Sequence, residues 1–171
     1  MATVGMDKYL NDILDKIYAN QNLCKYLLYD DANPLSHADI SDTSVLRTDK
    51  KNQRIFVTPF SVDTTDKVKS TLHIMLNNFE IDDKNMFYED MNIDFIICCN
   101  VRIWELNDGS GDVKIRCNGI WTELCNSFKR QMTVGVGKNH FDYGKVQRYN
   151  DFFWGYLFSL SAKALPIYTN V

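Results

Sequence analysis

Histidines His37, His73 and His140 and cysteines Cys24, Cys98, Cys99, Cys117 and Cys125 are the side chains of this chain best suited to nucleophilic, acid–base or metal chemistry. Their spacing points to none of these. A Cys/His metal site needs ligands paired about two to five residues apart, and no histidine has a second histidine or a carboxylate at a recognisable ligand spacing. Cys117 and Cys125 fall on one helix at a spacing that suits a core. Cys98 and Cys99 are adjacent in an apolar run, where neighbouring side chains take opposite sheet faces. An odd number of cysteines without a framework spacing reads as buried free thiols, hence a reducing compartment. The segment 135–140 (GVGKNH) is glycine-rich and carries Lys138, but it lacks the phosphate-loop arrangement and reads as a turn between strands. No GxSxG elbow occurs. The acidic pairs Asp30/Asp31, Asp82/Asp83 and Glu89/Asp90 lack calcium-ligand spacing and read as solvated loops. Catalytic, metal and cofactor-binding residues are therefore expected to be absent.

Aromatic residues are 13% of the chain, and strands and a helix stripe account for most of them. Phe60, Phe87, Tyr88, Phe141, Tyr143 and Tyr149 fall in segments that read as loops. Aromatics are enriched at protein interfaces, so Phe60, Phe87, Tyr88, Tyr143 and Tyr149 are the candidate oligomer or partner contacts. The competing reading tucks these rings over the edge of the core.

The elements that position these residues follow from hydrophobic periodicity. Leu10, Ile13, Leu14 and Ile17 form one stripe of a helix, and Asn22 is a candidate cap for a second short helix with Leu23, Tyr26, Leu27 and Leu28. Residues 30–53 are polar, contain Pro34 and read as a long loop, the first place to expect a partner contact. Residues 54–60, 71–81 and 92–106 read as strands. The last of these puts Ile93, Phe95, Ile97, Cys99, Val101 and Ile103 on one face. Asp112 is a candidate cap for a helix with Val113, Cys117, Ile120, Trp121, Leu124 and Phe128 on one stripe and Lys129 and Arg130 in its last turn. Residues 132–150 read as a strand with bends, and 152–164 as a closing strand. The order is α-α-β-β-β-α-β-β: an α+β protein with a single domain over residues 1–171.

The chain carries a formal net charge of −3, with 45% hydrophobic and 24% charged residues. That composition is globular and lacks a basic footprint for nucleic acid. No run reaches the roughly 20 apolar residues of a membrane helix, and the first residues do not read as a signal peptide. A soluble, intracellular protein is expected.

Several stretches resemble phage tail-terminator and tail-completion proteins, which are structural proteins of the head–tail junction. They are NQNLCKYLLYDDANPLS at 20–36, RIFVTPF at 54–60, and IDFIICCNVRIWEL at 93–106 with the Gly/Asp turn and amphipathic helix after it. A glycine-containing segment and a final apolar strand complete the pattern. The resemblance covers about Asp7 to Ala164. It implies a mostly antiparallel sheet with helices packed on one face and long loops. It also implies a homo-oligomeric ring, commonly of six copies, that caps the tail tube, ends its polymerisation and joins it to the neck or connector protein. DNA would pass through the ring without specific binding. The protein would be made in the host bacterial cytoplasm and end in the virion tail or neck. The alternatives are another neck component, an assembly adaptor or chaperone not retained in the particle, and a small enzyme with a site around His73 or His140.

Overall fold

Helix α1 (Met6–Ala19) and helix α2 (Gln21–Leu28) form a hairpin at the start of the chain. The break between them is fixed by Asn20, not Asn22. Its extended backbone lets Oδ1 accept from the Leu23 N–H at 3.0 Å, while Asn22 already lies inside the first turn. The structure, a computed structural model, describes residues 6–58, 67–81, 88–128, 132–133 and 137–163. Residues Pro59, Phe60, Phe87, Asp82, Asp83, Lys129 and Arg130 lie outside these.

Among the described residues, six strands lie in the order β1-β2-β3-β8-β7-β6: β1 (Ile55–Phe56), β2 (Ser70–Ile81), β3 (Tyr88–Asn100), β6 (Met132–Thr133), β7 (Gly137–Arg148) and β8 (Phe153–Lys163). All neighbours are antiparallel except β1 and β2. Two short strands, β4 (Glu105–Leu106) and β5 (Lys114–Ile115), form a separate ribbon. Helix α4 (Arg116–Phe128) follows it. The expected α+β class with one mostly antiparallel sheet is therefore what the chain adopts.

Strand β3 is the centre of the core. Ile93, Phe95, Ile97 and Cys99 are fully buried on one face and pack with Leu72, Ile74, Phe158 and Leu160 of its neighbours. Tyr9, Ile13 and Ile17 of α1, Leu23 and Leu27 of α2, and Cys117, Ile120, Leu124 and Phe128 of α4 cover that face. Ile96, Cys98 and Phe153 form a smaller cluster on the other face, with Met75, Tyr149 and Leu157 against it. At the β3–β8 seam the backbones approach so closely that a Cβ on Gly155 would sit 1.8 Å from the Ile97 carbonyl oxygen. Only glycine fits there.

Further expectations are revised. Glu89 and Asp90, expected in a solvated loop, lie in β3, with Asp90 opposite Lys163, and residues 137–140 of the expected turn are the start of β7. The strand expected through Leu106 ends at Asn100, whose side chain accepts from the Arg102 N–H at 3.0 Å and starts a 3-10 turn over Val101–Ile103. The alternation therefore stops, and Val101 faces solvent. The helix expected from Asp112 starts at Arg116, because Lys114–Ile115 pair with β4. Val113 is 79% exposed and leaves the stripe. The strand expected over 54–60 is described only at Ile55–Phe56.

Residues 30–53 are not a free loop. They contain a 3-10 turn at Pro34–Ser36 and a short helix, α3 (Val45–Thr48), whose Leu46 is fully buried. The Gln21 amide donates to the Ile40 carbonyl at 3.1 Å and accepts from its N–H at 2.9 Å. Thr43 donates its hydroxyl to the Tyr18 carbonyl at 2.9 Å, and Lys25 meets Asp39 at 2.7 Å. The segment is a strap tied along the helical hairpin.

Candidate functional site

The chemically capable side chains are mostly spent on structure. Cys24, Cys98, Cys99 and Cys117 are buried and Cys125 is half-buried, all as free thiols. Burial pushes the Cys24 thiol up to about 12 and raises Cys98 and Cys117 as well. Such thiols are poor nucleophiles at neutral pH. His73 is buried on β2 and stacks on Phe56 with ring centroids 4.8 Å apart. Burial, with the Lys69 charge adding, lowers its pKa from 6.5 to about 4. His140 lies in β7, its side chain outside the described ones. Among the described residues, no group of three or more His, Cys, Asp or Glu side chains is placed to hold a metal ion.

The acidic pair at 30–31 is brought into contact with other charged groups by the strap. Asp30 meets Arg54 at 2.9 Å, and burial holds its carboxyl above the ordinary value even so. His37 stacks on Tyr29, with centroids 3.9 Å apart, and reaches Asp31 Oδ2 at 2.6 Å. Ser36 stands beside this imidazole–carboxylate pair, but its hydroxyl donates to the Asn33 carbonyl at 2.8 Å and so does not extend it into a relay.

Arg116, which periodicity does not single out, is fully buried at the start of α4. Its Nε donates to the Ile103 carbonyl at 2.9 Å, and Nη1 donates to the carbonyls of Tyr26 at 2.9 Å and Tyr29 at 2.8 Å. Nη2 donates to the Asp31 carbonyl. These acceptors include carbonyls at the C-terminal end of α2, which have no partner inside their own helix. One guanidinium thus joins α2, the strap, the 3-10 turn after β3, and α4.

Of the candidate contact residues, Tyr149 is described in full. It is half-buried beside Ile96, Cys98 and Phe153, and its hydroxyl donates to the Tyr156 carbonyl at 3.3 Å. Tyr88 opens β3 and Tyr143 pairs with Ser159, but their side chains lie outside the described ones. Phe60 and Phe87 are outside the described residues altogether. Phe141 takes the core reading: it lies on β7 between Phe95 and Trp121, at 6.3 and 4.5 Å between centroids.

The structure collects a different set of exposed apolar side chains at the β7–β8 turn. Val101, Val146, Phe152 and Trp154 are large hydrophobics left open to solvent, Val146 at 63% and Trp154 at 37%. Asn150 Oδ1 accepts from the N–H groups of Phe152 and Phe153, both at 2.8 Å, which fixes the turn. The Val101 N–H donates to the Phe152 carbonyl at 2.9 Å and brings the end of β3 alongside. The Arg148 guanidinium lies 5.6 Å from the Trp154 ring centroid and pairs with Asp151. Along the helix-bearing face, Phe158 stacks under Trp121 at 3.6 Å and the Tyr156 hydroxyl meets Asn118 in the first turn of α4. Trp154, the next residue on that face, lies beyond the helix start and is left uncovered. Alternation alone pairs Trp154 with Phe158 and Leu160 as core; only the start of α4 at Arg116 separates them. A clustered tryptophan, arginine and phenylalanine is the composition of interface anchors.

A family model described as YomW matches residues 20–161, a span that includes every strand from β1 to β7 and most of β8. No curated protein matches the chain.

Proposed function

The chain belongs to the YomW family, a membership that points to a phage-associated protein, and from that premise we propose that it is a non-enzymatic structural subunit that works by assembling. In this reading copies join into a ring, expected to contain six, at the junction of tail and neck. The ring caps the tail tube and offers its other side to the connector. The observation that carries the assembly part is the exposed Val146, Phe152, Trp154 and Arg148 cluster around the β7–β8 turn. An uncovered anchor group of this kind calls for a protein surface to bury it. The tail-junction part rests on the resemblance of the chain to tail-terminator proteins. A formal net charge of −3 suits a lumen through which DNA slides without being gripped.

Light scattering with negative-stain imaging of the same peak tests the assembly part. Rings are the expected result for the wild type, and a smaller species with unchanged melting temperature for Trp154→Ala. Mass spectrometry of purified particles tests the location and separates a retained subunit from an adaptor that leaves before maturation. A protein that stays monomeric and is missing from particles overturns the proposal.

A further inference from the structure

Strand β7 is bonded along its inner side to β8 from Asn139 to Arg148, whereas β6 meets it only at Gly137 and Lys138. Gly144, Lys145, Val146 and Arg148 are exposed and Gln147 is half-buried. Among the described residues no strand pairs with the outer side of 144–148, where the Arg148 carbonyl accepts from Gln147 Nε2 at 3.3 Å; an edge of this kind can take up another strand. The other side of the sheet is treated differently. There β1 is two residues long, and the Arg54 N–H just before it donates to the Leu46 carbonyl of α3 at 2.7 Å.

The hydrogen-bond pattern says which groups of β7 face outward. The Tyr149 N–H donates to the Phe153 carbonyl at 3.0 Å, so Tyr149 and Phe153 form a bonded pair. Bonded and non-bonded pairs alternate along an antiparallel ladder. Gln147 with Gly155 and Lys145 with Leu157 are then bonded pairs, and Val146 with Tyr156 and Arg148 with Trp154 are not. Gly144, Val146 and Arg148 therefore turn their N–H and carbonyl groups to the open side. Their side chains share the face that carries Tyr156 and Trp154.

We propose that residues 144–148 of β7 pair antiparallel with the same residues of a second copy, across a two-fold axis at Val146. The charges remove two rival centres, and over Gln147 this one buries the exposed valine against its own copy. A centre at Lys145 sets two lysines directly opposite, and a centre at Arg148 sets two arginines opposite; like charges across strands repel. A centre at Gly144 runs the pairing into the irregularity between Phe141 and Tyr143. With Val146 at the centre, the two valines meet, Lys145 faces Gln147, and Arg148 faces Gly144. The Gly144 position has no side chain to obstruct the arginine. The Trp154 rings then flank the paired valines and lose water on the same face. This contact supplies the surface for the copy–copy part of the proposed assembly and rests on that part alone. A two-fold contact makes the two sides of any closed ring equivalent, so it pairs copies as dimers and is not the wall of a ring that presents different sides to tube and connector.

Val146→Cys in the full chain tests the register. Two residues in a bonded antiparallel pair have Cα atoms about 5.5 Å apart, within the roughly 4.4–6.8 Å that a disulfide spans. Mild oxidation should give a covalent dimer several-fold faster than with Asp49→Cys, an exposed position on the strap, and wild type should give none. Val146→Pro provides the second test. It removes an outward N–H and no β7–β8 hydrogen bond, so the solution mass should halve while the protein stays folded. If wild type assembles but Val146→Cys crosslinks no faster than Asp49→Cys, the proposed contact falls and the assembly reading stands. If wild type is monomeric at every concentration and position 146 does not crosslink, both fall.

Discussion

Replacing Arg116 by Met should be among the most damaging single changes in this protein that touches no apolar core residue. The side chain is fully buried and donates to four backbone carbonyls, those of Ile103, Tyr26, Tyr29 and Asp31. Methionine keeps much of the volume and all of the apolar stem, so the substitution isolates the guanidinium. The Ile103 carbonyl bond is buried, while water can reach the other three in part. A fully buried group left without a partner costs about 1–3 kcal/mol. The loss of the charge-assisted bonds at the other carbonyls adds to this, and relief of the cost of burying the guanidinium, which also lowers its pKa, offsets part of it. The net expectation is a loss of about 3 kcal/mol, or about 6–12 °C in Tm for a chain of this size. Arg116→Lys should fall between, since a lysine keeps the charge but cannot span the four acceptors. Thermal melts followed by circular dichroism read both variants. Melting of Arg116→Met within about 2 °C of wild type, under about 1 kcal/mol by the same conversion, refutes the argument.

Gly155→Ala should cost about 3 kcal/mol, at the upper end of overpacking, because the new Cβ would meet the Ile97 carbonyl oxygen at 1.8 Å; urea unfolding at matched m-value reads it. Lowering the pH should destabilise the fold through His73. The unfolded chain takes up a proton near 6.5 and the folded one only near 4, so stability is lost as pH falls between those values and not below them. The loss is at most about 3 kcal/mol, and the difference in stability between wild type and His73→Phe across that pH window isolates it. Trp121→Ala should cost about 2–3 kcal/mol, since the ring is half-buried between Phe158 and Phe141. Phe95→Ala, at a fully buried position, should cost about 3–5 kcal/mol; the reverse ranking in thermal melts overturns the core assignment.

Elements with long apolar periodicity are legible in the residue pattern alone. The stripe of α1, the alternation of β3 through Asn100, and the stripe of α4 from Cys117 to Phe128 all follow from side-chain type and spacing. The features that periodicity misses are governed by contacts between distant residues. Asp112 is a sound cap by composition, yet β4–β5 pairing claims Lys114 and Ile115 and moves the start of α4 to Arg116. The strap looks like a loop because its hydrogen bonds go to side chains and carbonyls of the helical hairpin, as at Gln21 and Ile40. Arg116 is invisible for the same reason: a charged residue in a helix's first turn reads as a wet surface position until four carbonyls are folded around it. Tyr149, a sequence candidate, lies next to the exposed cluster, but Val146, Phe152 and Trp154 read as strand residues and give no sign of being left uncovered.

The two margins of the sheet make opposite use of the same backbone chemistry. At the β1 margin the chain spends a strap, a short helix and Arg54, which donates to the Leu27 carbonyl at 3.2 Å and meets Asp30 at 2.9 Å, to occupy groups near the edge. At the β7 margin, residues 144–148 carry only Lys145 and Arg148 of the devices that usually blunt an edge, and they place an exposed valine at its middle. An aggregation-prone edge is costly to keep in a protein that works alone. It is useful in one whose copies must meet in a single register. The bulge at Phe141/Tyr143 on one side and Arg148 on the other limit the open stretch to a few residues, so pairing can close a specific contact without templating an endless sheet.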